Sequence, residues 1–282
     1  MTNKEKVLAG LFVYFALELY KQGEEEAKEQ VKEQEEDRDK LLKEIAMLAI
    51  GYKFVDNKLK LSGKEQRKLN RKFNKIIDSS FSLQANKEAR RTHSLIARVI
   101  KEKYNSNNYI LQIGKIKADK RLSKNTINKI IFNTIEGKNF SDRIYTNKKA
   151  MAKVLRKEVK DFLKGKTTIL NIEKRINKRF DTNEFNTRRL VEHEVERVQN
   201  AIDEVWRSNN NISEVLYSAV LDKVTCPNCE QYDQHTYKIS EIPVSLPQHV
   251  GCRCIYIPII QYWNGSDKGI TWESYKNSKE TQ

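Results

Sequence analysis

Proline is scarce in this chain. Only four occur in 282 residues, all at or after Pro227, and ten glycines add little further punctuation. Everything before that point lacks the ring that breaks a helix interior, so it is free to be helical. Long apolar runs are missing too. The best, Val7 to Leu17, is too short to span a bilayer, which needs about 20 apolar residues. It has no small-residue cleavage site and runs into Glu18 and a charged helix, so a buried or partner-docking helix is expected, with no membrane partner and no export signal. Gly165-Lys-Thr resembles the tail of a phosphate-binding loop but lacks its first glycine and its preceding strand, which excludes that motif. No nucleophile accompanies His193, and no paired carboxylates or Cys/His arrangement occur outside one C-terminal cluster. A non-enzymatic protein is therefore expected.

What is abundant is charge. A net charge of +15 and a pI near 9.5 point to an acidic partner, nucleic acid first, with a merely soluble basic chain as the alternative. The charge is unevenly distributed. Glu24 to Glu26 and Glu33 to Asp39 form an acidic patch, whereas Lys64 to Lys129 is strongly basic. Arg67, Lys68, Arg71 and Lys72, continued by Lys75, recur at helical spacing, and Arg90 and Arg91 follow. These are candidate DNA contacts if the run is more than a solvated face.

The periodicities predict a mainly α protein with a small C-terminal α+β module: a helical N-terminal region, then a short antiparallel sheet stapled by a Cys/His metal site. Four segments are expected: residues 1–60, apolar and then acidic; a basic helical region, 61–139; the module, 140–260; and a tail, 261–282, anchored by its aromatics. The first helix reads through to Leu48. Ser141 is the expected N-cap of a helix reaching Leu163, with Gly165 as its C-terminal glycine. A short helix, Ile169 to Phe180, and a separate one, Asn183 to Arg207, should follow. The latter carries the stripe Val191, Val195, Val198, Ile202 and Val205, with Glu194 and Arg197 as a helix-surface ion pair. Val215 to Leu221 and Cys254 to Ile259 read as strands, Pro258 marking an edge or an end.

All four cysteines lie between or beside those strands, as Cys226-Pro-Asn-Cys229 and His249-Val-Gly-Cys252-Arg-Cys254. A two-residue gap lets both sulfurs of one tight turn face a tetrahedral ion, and Pro227 biases Cys226 toward extended backbone. Zinc is the expected cofactor, in a structural role. In a regular strand Cys252 and Cys254 would share a face about 6–7 Å apart. Both bind one ion only if a turn follows Gly251; otherwise His249 supplies a ligand and one cysteine is spare. Disulfides and reduced, packed thiols are the alternatives. The absence of an export signal places folding in a reducing cytoplasm.

From about Phe140 to Ile260 the chain resembles the phage minor head protein family, the Mu F-like head morphogenesis domain. The resemblance rests on Leu190 to Asn200, on Leu221-Asp-Lys-Val-Thr-Cys-Pro-Asn-Cys229, on Tyr232-Asp-Gln-His-Thr-Tyr237 and on Gln248-His-Val-Gly-Cys-Arg-Cys254. It implies a structural virion component, made in the host cytoplasm and located in the phage head near the portal. It also implies portal protein and capsid or scaffold proteins as partners, possible contact with packaged DNA, and a role in packaging or delivery. Cys226, Cys229, His249, Cys252 and Cys254 carry over as site positions, with Asp233 as a turn or supporting residue. The chain departs from the family at Glu192-His193, at Gln234 in place of a glycine, and at Val250-Gly251. A zinc-containing nucleic-acid-binding regulator and a toxin- or transferase-like enzyme using Glu194 are the competing classes.

Overall fold

The computed structural model describes residues 2–118, 121–219, 226–265 and 271–280, with side chains of the last segment described to 278. The protein is mainly helical, with a small antiparallel sheet toward its C-terminal end. Helices α1 (Asn3–Gly51), α2 (Gly63–Ile113) and α5 (Ile169–Asn209) are long enough to serve two compact units. The first unit gathers Met1–Glu24, His93–Asn133 and Val191–Gln282; the second gathers Glu25–Thr92 and Thr134–Leu190.

In the second unit, strands β1 (Phe54–Val55) and β2 (Lys58–Leu59) form a tight hairpin between α1 and α2. Asp56 and Asn57 both take positive φ, the conformation a two-residue hairpin turn requires and one that short Asx side chains tolerate. Turning back, α2 runs antiparallel to α1. Glu44 meets Lys72, Asp37 accepts from Gln84, Glu33 meets Lys87, and Glu26 meets Arg91. The acidic patch of one helix thus neutralises Lys87 and Arg91 in the basic run of the other.

Helix α4 (Phe140–Leu163) begins two residues earlier than Ser141 would place it. Asn139 caps it, accepting from the Asp142 N–H at 3.0 Å while Asp142 accepts from the Asn139 N–H at 3.2 Å. This reciprocal box satisfies two donors, which Ser141 inside the helix cannot do. The helix ends at Gly165 as expected, with φ +70, the Gly165 N–H on the Phe162 carbonyl and the Lys166 N–H on that of Asp161. Leu155, Val159 and Phe162 pack with Phe73, Ile77 and Phe180 in an apolar core.

The expected break between Phe180 and Asn183 is absent, and α5 is continuous. Thr182 satisfies its hydroxyl on the Lys178 carbonyl at 2.9 Å, and Asn183 is buried in a polar layer rather than turning the chain. There Lys148 lies 2.5 Å from Glu88 and donates to Asn183 at 3.0 Å; Gln34 donates to Glu88 at 2.8 Å; Asn183 donates to Gln34 at 2.6 Å.

In the first unit the apolar N-terminal stretch is one face of α1: Leu8, Phe12, Phe15, Ala16 and Leu19 are buried, while Val7 and Tyr14 are exposed. Val191, Val195, Val198 and Ile202 are fully buried, as the stripe predicts, and Trp206 continues it in place of half-exposed Val205. Gly23 permits close approach, since a Cβ there would meet Val195 Cγ2 at 2.9 Å. The Glu194–Arg197 pair is buried rather than a surface pair. Arg197 also donates to the carbonyls of Ile130 and Ile131, at the C-terminal end of α3 (Lys124–Ile131), where cations are favoured.

After α5 comes strand β3 (Glu214–Ser218), then α6 (Pro227–Glu230), β4 (Thr236–Lys238) and β5 (Ile255–Pro258). The sheet is antiparallel in the order β4-β3-β5. Pro258 pairs opposite Val215 at the end of an edge strand, where a missing N–H is tolerated. Beyond it, Trp263 buries its ring and donates to the Ile110 carbonyl at 2.7 Å; Trp272, opening α7 (Trp272–Glu280), packs edge-on against Phe15 at 5.0 Å. Both tail tryptophans therefore act as anchors. Among the described residues, no helix is long and apolar enough to cross a membrane.

Candidate metal centre

Two backbone turns build the site. In the first, Cys226 is extended (φ −79, ψ 149), as a residue before proline prefers, and Pro227 opens the one-turn helix α6. The Cys229 N–H returns to the Cys226 carbonyl at 2.9 Å, bringing the two sulfurs to one side. In the second, the Cys252 N–H bonds the His249 carbonyl at 3.2 Å across Gly251, which takes φ +81. Only a residue without Cβ adopts that conformation readily. The turn thus ends at Cys252, and Cys254 leads directly into β5.

These turns bring all five sequence-derived candidates together. The Cys226 sulfur lies 3.1 Å from His249 Nε2, the Cys229 sulfur 3.4 Å from the same nitrogen, and the Cys229 and Cys252 sulfurs are 4.0 Å apart. Two triads result, Cys226/Cys229/His249 and Cys229/Cys252/Cys254, each with donor atoms within 4.8 Å of one another, and Cys229 belongs to both. A tetrahedral zinc with ordinary bond lengths would hold sulfurs roughly 3.8 Å apart and sulfur and nitrogen roughly 3.6 Å apart. The donor set fits such an ion. At 4.0 Å the Cys229 and Cys252 sulfurs stand at about twice a disulfide bond length, and all four cysteines are free. His249 Nδ1 lies 3.1 Å from the Val250 carbonyl, which favours the tautomer with Nδ1–H and leaves the Nε2 lone pair facing the sulfurs.

The electrostatics show why a cation suits this cluster. A hydrogen bond from the Cys254 thiol pulls Cys252 down to about 5, against the opposing effect of burial. Burial, followed by the Cys226 contact, pushes Cys229 up to about 11, and Cys254 is pushed up by its bond to Cys252 and then by burial. One negative sulfur therefore suppresses its neighbours. A divalent cation removes that conflict, because it stabilises several thiolates at once.

Several surrounding residues escaped the sequence reading. Glu196, buried on α5, accepts the Gly251 N–H at 3.2 Å and pins the second turn. Tyr217, fully buried on β3, accepts from Gln248 Nε2 at 3.2 Å, and its hydroxyl also bonds the Cys254 and Cys229 sulfurs. Burial, reinforced by those sulfurs, holds its phenol well above the usual range. Inward alternation along β3 was the available signal for Tyr217; nothing local marked Glu196. Asp233 sits in the turn before β4 and accepts the Ala219 N–H at 2.8 Å, tying the end of β3 to that turn. Gln234, standing where the family has glycine, is held at φ +61. The strand reading at Val220 and Leu221, and the Leu221 to Thr225 part of the motif, lie outside the described residues.

The candidate DNA contacts lie elsewhere, on α2. Arg67, Lys68, Arg71 and Lys72 are exposed, with Lys72 paired to Glu44. Arg90 is exposed and donates to the Asn86 carbonyl, whereas Arg91 is engaged by Glu26 and Glu33.

No curated protein and no solved structure matches the chain. Residues 153–257, from the middle of α4 through the knuckle to β5, match the family described as Phage Mu protein F like protein. With that match spanning both cysteine turns and both strands beside them, the chain carries a phage head morphogenesis domain of the Mu F-like family.

Proposed function

We propose that this protein is a minor structural component of a phage head, joining the portal protein and capsid or scaffold proteins during assembly in the host cytoplasm, remaining in the virion near the portal, and serving DNA packaging or delivery. The observation that carries the reading is the Mu F-like match laid over a strand–knuckle–turn–strand frame on which four cysteines and His249 converge. In this reading the ion is zinc and its role is to fasten the sheet. Cys226, Cys229 and His249 supply three ligands and Cys252 the fourth, while Cys254 stays on the Tyr217 side as support. Four protein ligands leave no open position for substrate, which favours a structural over a catalytic metal.

The protein is read as non-enzymatic. Glu194, the carboxylate an enzyme reading would use, accepts from Arg197 at 2.9 and 2.7 Å and is buried, which suits a structural ion pair. Co-expression with the portal protein of the same phage, followed by affinity capture, tests the assignment. Recovery of a stable complex is expected; no association with portal or capsid precursors would sink it.

A further inference from the structure

A regular row of unpaired charge runs along α4 to its C-cap residue. Lys149, Lys153, Lys157, Lys160 and Lys164 are all exposed, and among the described residues none has a carboxylate within 4.0 Å. At 100° per residue their directions fall within an arc of about 80°. The arc opposes the buried face of Met151, Leu155, Val159 and Phe162. It is a straight row of ammonium groups about 22 Å long, from 15 residues at 1.5 Å each. Nearby acids are already engaged: Glu158 by Arg179, and Asp161 by Lys166. On α2, Lys72, Lys87 and Arg91 are neutralised by carboxylates of α1, whereas Arg67, Lys68 and Arg71 are exposed without such a partner.

We propose that this lysine row binds the phosphate backbone of duplex DNA without sequence preference. Charge complementarity selects a polyanion, and the row's regularity selects a stiff, evenly charged one: duplex DNA offers about one phosphate per 1.7 Å of axis, roughly 13 along 22 Å. Between Lys149 and Lys164 the one aromatic side chain, Phe162, is buried, and Tyr145, one turn earlier, is tied to Asn86, which disfavours a single strand held by successive base stacking. The compact, flexible ammonium groups make point contacts to phosphate and provide no planar fork for reading bases.

The test is an anisotropy titration of the full-length protein on a mixed-sequence duplex of about 30 base pairs at several salt concentrations. Five phosphate contacts predict log K falling against log salt with a slope near −4.5, about 0.9 per contact. Lys149→Gln/Lys153→Gln/Lys157→Gln should reduce the slope by about 2.7, and the corresponding Lys→Arg triple should restore it. Lys72→Gln/Lys87→Gln, whose ammonium groups already face Glu44 and Glu33, should leave it nearly unchanged. Wild-type binding without salt dependence, an α4 glutamine triple that binds as wild type, or stronger binding to poly-glutamate than to duplex at equal charge would each overturn the proposal. The last would assign the row to an acidic protein surface. The glutamine triple should still capture portal protein, so failure here is distinguishable from failure of the head-assembly reading.

Discussion

Removing one sulfur, that of Cys229, tests the metal centre most directly. Cys229 is the member common to both donor triads, so Cys229→Ser leaves two separated pairs, Cys226/His249 and Cys252/Cys254, neither able to enclose an ion. Among the described residues, the cluster that packs around Cys229, Cys252 and Cys254 is small, with Val215, Tyr217, Ala219 and Tyr256 as its other buried members. Such a three-stranded sheet has little to hold it once the ligands part. A metal present at a thousandfold excess over its dissociation constant contributes about 4 kcal/mol to the folded state. For a domain of 150–250 residues that corresponds to roughly 8–16 °C in melting temperature. Protein purified under reducing conditions should contain one zinc per chain by elemental analysis, and Cys229→Ser close to none. Chelation should lower the wild-type melting temperature by about that interval and flatten the near-ultraviolet signal of Tyr217, Tyr232 and Tyr256, whose rings pack around the site. Cys252→Ser should behave like Cys229→Ser. Cys254→Ser should keep its metal with affinity reduced about 10- to 100-fold, the usual effect of losing a supporting group. Stoichiometric zinc in Cys229→Ser, or a wild-type melting curve indifferent to chelator, would refute the reasoning.

Other predictions concern the scaffold. Gly165→Ala places a Cβ at φ +70 and within 2.9 Å of the Leu59 carbonyl, so a loss of about 1–2 kcal/mol is expected in urea denaturation. Gln234→Gly should act the other way, relieving φ +61 and raising stability by up to about 1 kcal/mol. In the buried pair, burial holds Glu88 above the usual carboxylate range and Lys148 below the usual ammonium range. The raised carboxyl favours folding below its unfolded pKa and loses that contribution as pH rises through its folded value. The lowered ammonium favours folding above its unfolded pKa and loses that contribution as pH falls through its folded value. Near neutrality both groups therefore oppose stability. Lys148→Ala leaves Glu88 alone and should cost about 3–5 kcal/mol at pH 7, and less as the pH is lowered and Glu88 takes up a proton; a cost that does not change with pH would contradict this account. Arg197→Ala should destabilise by a comparable amount, since Glu194 and two α3 carbonyls lose their donor, with Glu194→Gln/Arg197→Met milder in the same assay.

How much of this was legible from the sequence depended on the range of the forces involved. Local rules found the Val191 to Ile202 face, the glycine stop at Gly165, the Pro227 knuckle and the proline at the strand edge, because each is decided within a few residues. The breaks that failed were decided at long range. Asp181-Thr182-Asn183 looks like a turn by composition, yet Asn183 is held in a helix by Lys148, Gln34 and Gln84, which lie on three other helices. The basic run looked like one surface for an acidic partner. Folding the chain back at Asp56-Asn57 instead sets part of that run, Lys72, Lys87 and Arg91, against carboxylates of α1. The metal centre stands between these cases. The donor residues of this candidate centre were legible because all four cysteines lie in two short turns, but its supports were not: Glu196 comes from a helix more than fifty residues away. The support matters as much as the ligands. Gly251 must keep φ +81 to aim His249 and Cys252 at Cys229, and the Glu196 carboxylate that accepts its N–H fixes that peptide from α5. The helix of the Mu F-like segment and its cysteine frame are therefore one mechanical unit, in which the two cysteine turns meet beside the sheet and the helix sets the angle at which they meet.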